Sequence, residues 1–241
     1  FTTGGQASPV GRARTAPAPG TPVDGVRLVA ATCQHYEQGH YHAWSHVVAD
    51  APDLVVFLGD YIYEGGISTG RPRRHNSPAV RTLDAYRARY GLYKSDPALQ
   101  AAHAAAPWVV TWDDHEVQNN YAALEPPLGT TDPAFAERRL AAYTAYWEHH
   151  PIRTAVDASG GLRLHRTVRW GSLFDLHLLD ERQHRSQTAC GASVAADCAD
   201  RSDPSRSILG PGQRDWLLSE LDADAARWTI LANPTVLSPM P

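Results

Sequence analysis

Side chains of the kinds that bind metal ions follow three apolar segments of this sequence. They are Cys33, then Asp60 with Tyr63 and Glu64, and then the run 113–116, which contains Asp114 and His115. Several anionic groups at one place would repel each other unless cations neutralised them, so their convergence favours a metal site. The ligand types favour two kinds of ion, because thiolate and phenolate suit a polarising metal such as iron, whereas carboxylate and amide oxygens suit calcium, magnesium or manganese.

Each of these residues also has a structural explanation when it is taken alone. A buried free cysteine usually serves as a small apolar side chain, and an aspartate after a glycine usually belongs to a turn or a helix cap. Their shared position at the ends of successive apolar segments favours one functional site. Asp60 follows the central segment, where its carboxylate could bridge two metal ions about 3.5 to 4 Å apart, as in two-metal hydrolytic sites.

The apolar periodicity predicts strands that first alternate with helices and later pair with each other. Strands are expected over 26–32, 54–58 and 108–112, and helices over 43–49, 82–90, 96–105 and 133–149. The remaining elements are a hairpin of strands over 162–170 and 172–179, a helix over 211–221 and a strand over 227–233. Asp132 is predicted to cap the helix over 133–149, with Pro133 as its first residue. This order predicts a layered α/β sandwich with a mixed sheet, in which sites form beyond the carboxyl ends of the strands.

The composition favours one large domain without a strong charge. Of the 241 residues 43% are hydrophobic, and the formal net charge is only -4. Such a chain can bury a substantial core, and its charge gives no reason to expect a nucleic-acid partner or an anionic membrane. No apolar run approaches the roughly 20 residues that cross a bilayer, and no signal peptide is visible. Residues 1–22 are rich in Gly, Pro, Ala and Thr, which predicts a linker before a folded domain over 23–241.

The three cysteines divide into a pair and a single residue. Cys190 and Cys198 lie eight positions apart in a stretch with the composition of a loop, whereas Cys33 stands alone after an apolar segment. This spacing predicts a disulfide between Cys190 and Cys198 and a free thiol at Cys33. Three free thiols in a reducing compartment are the alternative, because spacing alone does not establish geometry.

Five stretches of the chain form a recognisable combination of motifs. They are ATCQ (31–34), FLGDYIYE (57–64), TWDDHEVQNNY (111–121), LLDERQHR (178–185), and LGPGQRDWL with the RWTILAN that follows it. Together they resemble the PhoD-type alkaline phosphatases of the metallophosphatase superfamily, over essentially the whole chain. The resemblance implies an αββα-type sandwich with mixed sheets and metal-dependent hydrolysis of small phosphate monoesters or diesters.

The resemblance also implies a set of metal ligands. Cys33 and Tyr63 would bind Fe³⁺, and Asp60 would bridge this ion and a second one. Asp114 stands where the superfamily usually has a metal-binding asparagine. Asp114 would therefore bind the second ion. Asn120 would be a further ligand of the same ion, in preference to the asparagine that precedes it. The resemblance implies that the site contains Fe³⁺ accompanied by Ca²⁺, with Mn²⁺ or Mg²⁺ as alternative divalent ions.

Three further residues receive roles in substrate binding and catalysis from the same resemblance. His115 would contact the phosphate or protonate the leaving group. Arg182 and Arg185 follow the second strand of the predicted hairpin and would line the site as substrate-binding residues. His184 stands where the family usually has a tyrosine, which leaves the role of this segment open.

One departure from the family concerns the late part of the sequence. The superfamily usually supplies further histidine ligands from a Gly-Asp-x-His or Gly-His-x-His segment, and neither pattern follows Asn233. The sequence is therefore predicted to be a fragment that lacks a small N-terminal β domain and the last part of the catalytic domain. Such a fragment should bind metals weakly, and its sheets should lack strands.

Two other functions remain open at this point. One is a phospholipase D-like phosphodiesterase of the same family, and the other is a catalytically incomplete metal-binding fragment or scaffold. The resemblance implies export to the periplasm, the cell wall or the medium, through a twin-arginine signal outside these residues. The natural substrate and the oligomeric state are not predicted.

Overall fold

The folded elements of the chain follow the order that the apolar pattern predicts. The computed structural model describes residues 2–192, 198–223 and 225–237. In chain order the strands and helices are β1 (Thr2–Thr3), β2 (Gln6–Ala7), β3 (Leu28–Ala31), α1 (His42–Ala49), β4 (Leu54–Leu58), α2 (Leu83–Lys94), α3 (Pro97–Ala105), β5 (Trp108–Thr111), α4 (Phe135–His149), β6 (Arg166–Trp170), β7 (Phe174–Leu178), α5 (Gly210–Ala223) and β8 (Trp228–Ala232). Short 3-10 helices cover Tyr36–Gln38, Ala189–Ala192 and Ala199–Ser202.

The first sheet is parallel and has β4 at its centre, between β3 and β5. Four of the five residues of β4 are buried, because both faces of this strand are covered. Val55 and Phe57 belong to the core that this sheet shares with the helices, which includes Trp44 of α1. Leu54 and Val56 belong to a second core on the opposite face. A continuous apolar run in the sequence thus becomes the central strand that supports Asp60.

The second sheet has the order β6-β7-β8 and covers the other face of the first. Strands β6 and β7 form the predicted antiparallel hairpin, and β8 pairs with β7 in parallel. Leu176 of β7 packs in the core between the sheets, whereas the ring of His177 faces Trp216 of α5. The layers are therefore helices, parallel sheet, mixed sheet and helix, and the predicted αββα-type sandwich is confirmed.

The predicted start of α4 is wrong by two residues. Its N-cap is Ala134, and the helix begins at Phe135 instead of Pro133. Asp132 was expected to be the N-cap itself, but it lies two residues earlier: its Oδ1 accepts from the backbone N–H of Ala134 at 3.3 Å, while its Oδ2 pairs with Arg81 at 2.6 Å and lies 3.8 Å from Arg138. These ion pairs hold the chain before the helix in a turn, in which the backbone N–H of Phe135 donates to the carbonyl of Asp132.

The predicted first strand of the hairpin is too long at its N-terminal end. Strand β6 begins at Arg166, although the apolar pattern extends back to residue 162. The backbone N–H and carbonyl of Leu162 are bonded by the side chain of Gln183 instead of by a neighbouring strand. A side chain from another segment therefore takes the place of backbone hydrogen bonds from a neighbouring strand at this residue.

The predicted disulfide between Cys190 and Cys198 is present, with the two Cα atoms 5.7 Å apart, and Cys33 is free.

Strand β8 exposes apolar side chains at one edge of the second sheet. Trp228 is 61% exposed and Leu231 is 43% exposed, and within the described residues β8 pairs only with β7. Ala30 on the edge strand β3 of the other sheet is exposed as well.

No helix in the described part of the chain is long and apolar enough to cross a membrane.

An exposed apolar edge strand promotes pairing between chains, so Trp228→Lys is expected to reduce self-association. Sedimentation velocity over a range of concentrations measures this property. The unchanged chain should gain mass with concentration, whereas the variant should stay monomeric. Leu218→Lys is the matched control, because Leu218 is 55% exposed on α5, away from the sheet edge. Equal self-association of both variants would argue against a role of the β8 edge.

Candidate active site

The candidate residues lie at the carboxyl ends of the three parallel strands. Cys33 follows β3, Asp60 follows β4, and Asp114 follows β5. Because parallel strands end at the same edge of a sheet, the fold brings the three loops together. The backbone N–H of Cys33 donates to the carbonyl of Gly59 at 3.1 Å, which joins the first two loops. The sequence prediction that these residues share one edge of the sheet is confirmed.

The backbone turns sharply where β4 ends. Gly59 has a φ of 104°, and Asp60 has a φ of 57°. A Cβ at Gly59 would lie 2.3 Å from the backbone nitrogen of Asp113 and 2.6 Å from the carbonyl carbon of Trp112. Gly59 is therefore needed both for its conformation and for the close approach of the two loops. Left-handed backbone at a residue such as Asp60 is a feature that clusters at functional sites.

Gly59→Ala is expected to lower the free energy of unfolding by more than about 2 kcal/mol, since the new Cβ collides with backbone and the φ is unfavourable. Thermal or urea unfolding followed by circular dichroism measures the change. Gly91→Ala is the matched control, because a Cβ at Gly91, inside α2, has open space around it. Alanine is the better helix former, so this control should gain about 0.5 to 1 kcal/mol. Equal stability of the two variants would contradict the packing described here.

A thiol and a phenol both meet the carboxylate of Asp60. The Cys33 thiol lies 3.4 Å from Oδ2 of Asp60, and the Tyr63 hydroxyl donates to the same oxygen at 3.1 Å. Asp60 is buried, whereas Cys33 remains exposed to solvent. Tyr63 lies three residues after Asp60, so the turn returns its ring to the aspartate. The three side chains offer a thiolate, a carboxylate and a phenolate around one point.

The other oxygen of Asp60 faces the loop after β5. The backbone N–H of His115 approaches Oδ1 at 3.4 Å. Ligand atoms of Asp60, Asp114 and His115 lie within 4.8 Å of one another. Asp114 is buried and accepts a hydrogen bond from the backbone N–H of Asn120 at 2.6 Å. Asp60 thus stands between two groups of ligands, the arrangement that a carboxylate bridging two ions requires.

Burial raises the pKa of all three groups around Oδ2 of Asp60. Loss of hydration is the largest cause of the higher pKa of the Cys33 thiol, the Asp60 carboxyl and the Tyr63 phenol. The charge of Asp60 raises the pKa of Cys33 and Tyr63 further, whereas the hydrogen bonds from these two side chains lower the pKa of Asp60. A bound cation would stabilise the anionic forms of these groups and so lower their pKa values. Burial also raises the pKa of Asp113 to about 6, against the lowering effect of Arg182. These donor groups suit metal ions, and without such ions the burial of their anionic forms has a high free-energy cost.

His115 is held by Glu64. Its Nδ1 lies 2.7 Å from Oε2 of Glu64, and its ring packs against Tyr63 with centroids 4.1 Å apart. Burial lowers the pKa of His115, but the hydrogen bond and charge of Glu64, together with nearby carboxylates, outweigh it and raise the pKa to about 9. Glu64 also accepts from the backbone N–H of Asn119 at 2.8 Å. Glu64 thus engages the imidazole through Nδ1 and leaves Nε2 on the other side of the ring.

Arg182 is bound to the acidic loop after β5. Its Nε donates to Asp113 at 2.6 Å, its Nη2 lies 3.4 Å from Asp114, and its Nη1 donates to the carbonyl of Tyr121. These contacts hold the carboxylates of Asp113 and Asp114 in place. Arg185 is half-buried, and its Nε donates to the carbonyl of Ser186 at 3.4 Å.

The comparison with known proteins assigns the chain to a family. A family model described as PhoD-like phosphatase matches residues 28–241. The chain belongs to the PhoD-like phosphatase family. The resemblance deduced from the motifs is therefore confirmed.

Two relatives give the extent of the likeness. The PhoD-like chain is 44% identical to alkaline phosphatase D of Bacillus subtilis (strain 168) over 239 residues, which are 97% of this chain and 41% of the relative. A solved structure described as the structure of PhoD matches with a TM-score of 0.90 and 44% identity, over 95% of this chain and 45% of that one. The chain thus spans less than half the length of both relatives.

Two acidic residues of the PhoD-like site were not given roles from the sequence. Glu64 had no assigned role, and in the structure its carboxylate contacts Nδ1 of His115. Glu116 is fully buried and accepts from the backbone N–H groups of Tyr61 and Asp113, at 2.6 and 3.0 Å. It therefore joins the loops after β4 and β5. The only sequence signal for Glu116 was its place beside His115 in the motif DDHEV.

A second group with possible metal ligands consists of His35, Glu37 and His75. Glu37 is fully buried, and its carboxylate accepts from the backbone N–H groups of Ser68 and His75. His75 contacts the hydroxyl of Tyr93 at 3.0 Å, and the Arg89 guanidinium lies 3.2 Å from its other ring nitrogen. The carboxylate is already satisfied and a fixed positive charge adjoins the group, so we assign it a structural role in the PhoD-like fold.

Proposed function

We propose that this chain carries part of the catalytic site of a metal-dependent phosphoric ester hydrolase that acts on phosphate monoesters or diesters. The observation that carries the proposal is the convergence of a thiol, a phenol and a second carboxylate on Asp60. Membership of the PhoD-like phosphatase family and the likeness to an alkaline phosphatase support it. Donors of these types bind metal ions, and metal ions stabilise the negative charge of the phosphoryl group in the transition state of its transfer.

The ligands divide into two groups in this proposal. Cys33 and Tyr63 would hold Fe³⁺ together with Asp60, because anionic thiolate and phenolate are strong donors to a polarising ion. Asp60, Asp114 and Asn120 would hold Ca²⁺ through oxygen ligands. When bound, the metal ions supply Lewis-acid polarisation of the phosphoryl oxygens and an acidified attacking water. Arg182 keeps the Asp114 carboxylate in place.

His115 serves as the general acid in the proposed reaction. As the bond between phosphorus and the leaving oxygen breaks, Nε2 of His115 gives its proton to that oxygen, and the leaving group departs as an alcohol. Glu64 fixes the imidazole through Nδ1 at 2.7 Å and so directs Nε2 towards the substrate. A general acid contributes about 10² to 10⁴ in rate, provided that it lies within hydrogen-bonding reach of the leaving group.

Hydrolysis assays on three esters test this function. The protein that carries this chain, reconstituted with Fe³⁺ and Ca²⁺, should release nitrophenol from nitrophenyl phosphate or from bis-nitrophenyl phosphate, and a chelator should abolish the reaction. Hydrolysis of phosphatidylcholine alone would favour the phospholipase D-like alternative. Absence of turnover, together with no loss of metal in Cys33→Ala, would favour a non-catalytic role.

Tyr63→Phe is expected to remove a visible charge-transfer absorption from the iron-loaded chain, because phenolate bound to Fe³⁺ absorbs visible light. Absorption spectroscopy at constant iron content measures the change. Tyr61→Phe is the matched control, since Tyr61 is fully buried two residues earlier and its hydroxyl contacts His103 instead. This control should keep its colour. A band that survives in Tyr63→Phe would exclude Tyr63 as the iron ligand.

The place of action is a further part of the proposal. Disulfides persist in oxidising compartments, and the Cys190–Cys198 bond supports a protein exported to the periplasm, the cell wall or the medium. Fractionation of the source cells with an antibody against this chain tests it. Detection in the cytoplasmic fraction alone would contradict export.

A further inference from the structure

Helix α2 carries two fully buried polar side chains that the proposed reaction does not use. Arg89 and Tyr93 are both shielded from solvent, and they lie four residues apart on this helix, so they share one of its faces. Burial lowers the pKa of the Arg89 guanidinium, because its surroundings disfavour the charge. A charged side chain in such a place is stable only when its N–H groups find acceptors, so its contacts indicate why it is there.

Arg89 joins two stretches of backbone. Its Nη1 donates to the carbonyl of Tyr63 and, at 2.8 Å, to the carbonyl of Gly65. Its Nη2 donates to the carbonyls of Ser77 and Pro78, at 3.2 and 3.1 Å. None of these four acceptors is a carboxylate, so the guanidinium serves here as a planar set of donors for peptide groups. Both stretches of backbone are thereby held against helix α2.

The hydroxyl of Tyr93 holds the other peptide group of Tyr63. It accepts from the backbone N–H of Tyr63 at 3.1 Å and from that of Tyr36 at 3.2 Å. These two bonds occupy both lone pairs of the oxygen, so its own proton is donated to Nε2 of His75, which lies 3.0 Å away. His75 then carries its proton on Nδ1, which lies 3.2 Å from the carbonyl of Gly66 and donates to it. The whole hydrogen-bonding capacity of the Tyr93 hydroxyl is therefore in use.

The backbone segment 63–65 carries two side chains of the candidate active site. The phenol of Tyr63 donates to Asp60 at 3.1 Å, and the carboxylate of Glu64 lies 2.7 Å from Nδ1 of His115. The ring of Tyr63 also packs against the rings of His35 and His115, with centroids 4.3 and 4.1 Å apart. Because the two side chains leave adjacent residues, a shift of this backbone would displace both of them.

We propose that Arg89 and Tyr93 are positioning residues of the candidate metal site. Tyr93 fixes the N–H of Tyr63 and Arg89 fixes its carbonyl, so the phenol oxygen stays beside Asp60. Arg89 also fixes the carbonyl that follows Glu64 and so steadies that residue. The inference rests on the proposed function, in which the phenol binds iron and Glu64 holds the general acid. Ligands that are held before the ion arrives lose less entropy when it binds.

Iron binding by the variant Tyr93→Phe tests the inference in the protein that carries this chain. The variant removes one oxygen from the core and leaves the N–H of Tyr63 without its acceptor. We expect Fe³⁺ to bind about tenfold more weakly, because loss of a group that orients a ligand costs about 10- to 100-fold in metal affinity. The visible absorption of the iron-bound phenolate should also shift in wavelength at full iron occupancy. Affinity for Ca²⁺ should change much less, since Tyr93 does not hold Asp114 or Asn120.

Tyr90→Phe is the matched control. Tyr90 lies on the same helix and is also fully buried, but its hydroxyl has no hydrogen-bond partner among the described residues. This variant should keep the iron affinity and the absorption band of the unchanged protein. Equal iron affinity and equal bands in the two variants would overturn the inference. Equal weakening of Fe³⁺ and Ca²⁺ in Tyr93→Phe would mean general destabilisation and would overturn it as well.

Arg89→Lys provides a second variant, which keeps the positive charge but replaces the planar donors by a single ammonium group. Its kcat on an alkyl phosphate should fall about tenfold more than its kcat on nitrophenyl phosphate, because Glu64 and His115 matter only where the leaving group needs a proton. Thermal unfolding checks that the variant is folded at the assay temperature. The same loss on both esters, with unchanged iron affinity, would exclude Arg89 as a positioning residue.

Hydrolysis of nitrophenyl phosphate by the same samples separates this inference from the proposed function. Turnover by the unchanged protein, with weaker iron binding in Tyr93→Phe alone, supports both. Turnover with equal iron binding by Tyr93→Phe and Tyr90→Phe overturns the positioning role and leaves the hydrolase function. No turnover, with the difference in iron affinity intact, overturns the function and leaves Tyr93 as a positioning residue of a metal site. An unchanged protein that binds no iron overturns both.

Discussion

Asp60→Asn is expected to lower the hydrolysis of a phosphate ester by about a thousandfold and to reduce the binding of both metal ions. The carboxylate of Asp60 has Oδ2 towards Cys33 and Tyr63 and Oδ1 towards the backbone of His115, and its ligand atoms lie within 4.8 Å of those of Asp114. An amide cannot supply the negative charge that holds two cations. Metal content by elemental analysis, together with initial rates, measures both effects.

The matched control for this substitution is Asp175→Asn. Asp175 is also a buried carboxylate, but it lies on β7 and is 3.4 Å from Arg169 in the second sheet. This variant should keep its metal content and most of its activity, even if it is less stable. Equal loss of metal in both variants would mean that general destabilisation, and not loss of a ligand, explains the effect. Full metal binding by Asp60→Asn would contradict the bridging role.

His115→Gln is expected to lower kcat by about 10² to 10⁴ on an alkyl phosphate, because an alkoxide is a poor leaving group without a proton. The loss should be much smaller on nitrophenyl phosphate, since nitrophenolate leaves without help. Metal content and KM should change little. A comparison of kcat for the two esters therefore isolates proton donation from other functions of the residue.

Glu64 provides an internal check on the same assignment. Glu64→Gln should lower kcat on the alkyl ester by less than His115→Gln does, because the imidazole remains but is held less firmly. Glu64→Asp should restore part of the rate if its shorter carboxylate reaches Nδ1. A loss in His115→Gln of the same size on both esters would show that His115 binds phosphate instead of protonating the leaving group.

The position of the site could be predicted from the sequence, because it depends on local patterns. Apolar segments identify β3, β4 and β5, and the rule that parallel strands end at one edge brings Cys33, Asp60 and Asp114 together. The turn at Gly59 also follows from the local sequence, whereas the close approach of the loop after β5 to Gly59 is visible only in the structure. The proximity of these residues follows from the strand order alone, with no knowledge of side-chain contacts.

The remaining features depend on contacts between distant segments. Glu64 and His115 are 51 residues apart, and Arg182 and Asp113 are 69 apart, so neither pair is visible as a motif. Arg182 was predicted to bind substrate, and its contacts with Asp113 and Asp114 came only from the structure. The start of α4 was wrong for the same reason, since Arg81 engages the aspartate that local rules assign to a cap. In each of these cases an ion pair between distant segments determines where the side chain lies.

Anomalous X-ray diffraction from crystals of the iron- and calcium-loaded chain tests the central claim most directly. Data collected on either side of the iron absorption edge locate that ion independently of activity. We expect one iron peak within bonding distance of the Cys33 sulfur, the Tyr63 oxygen and Asp60, with a second, iron-free ion between Asp60 and Asp114. An iron peak at His35, Glu37 and His75, or none near Asp60, would contradict the account.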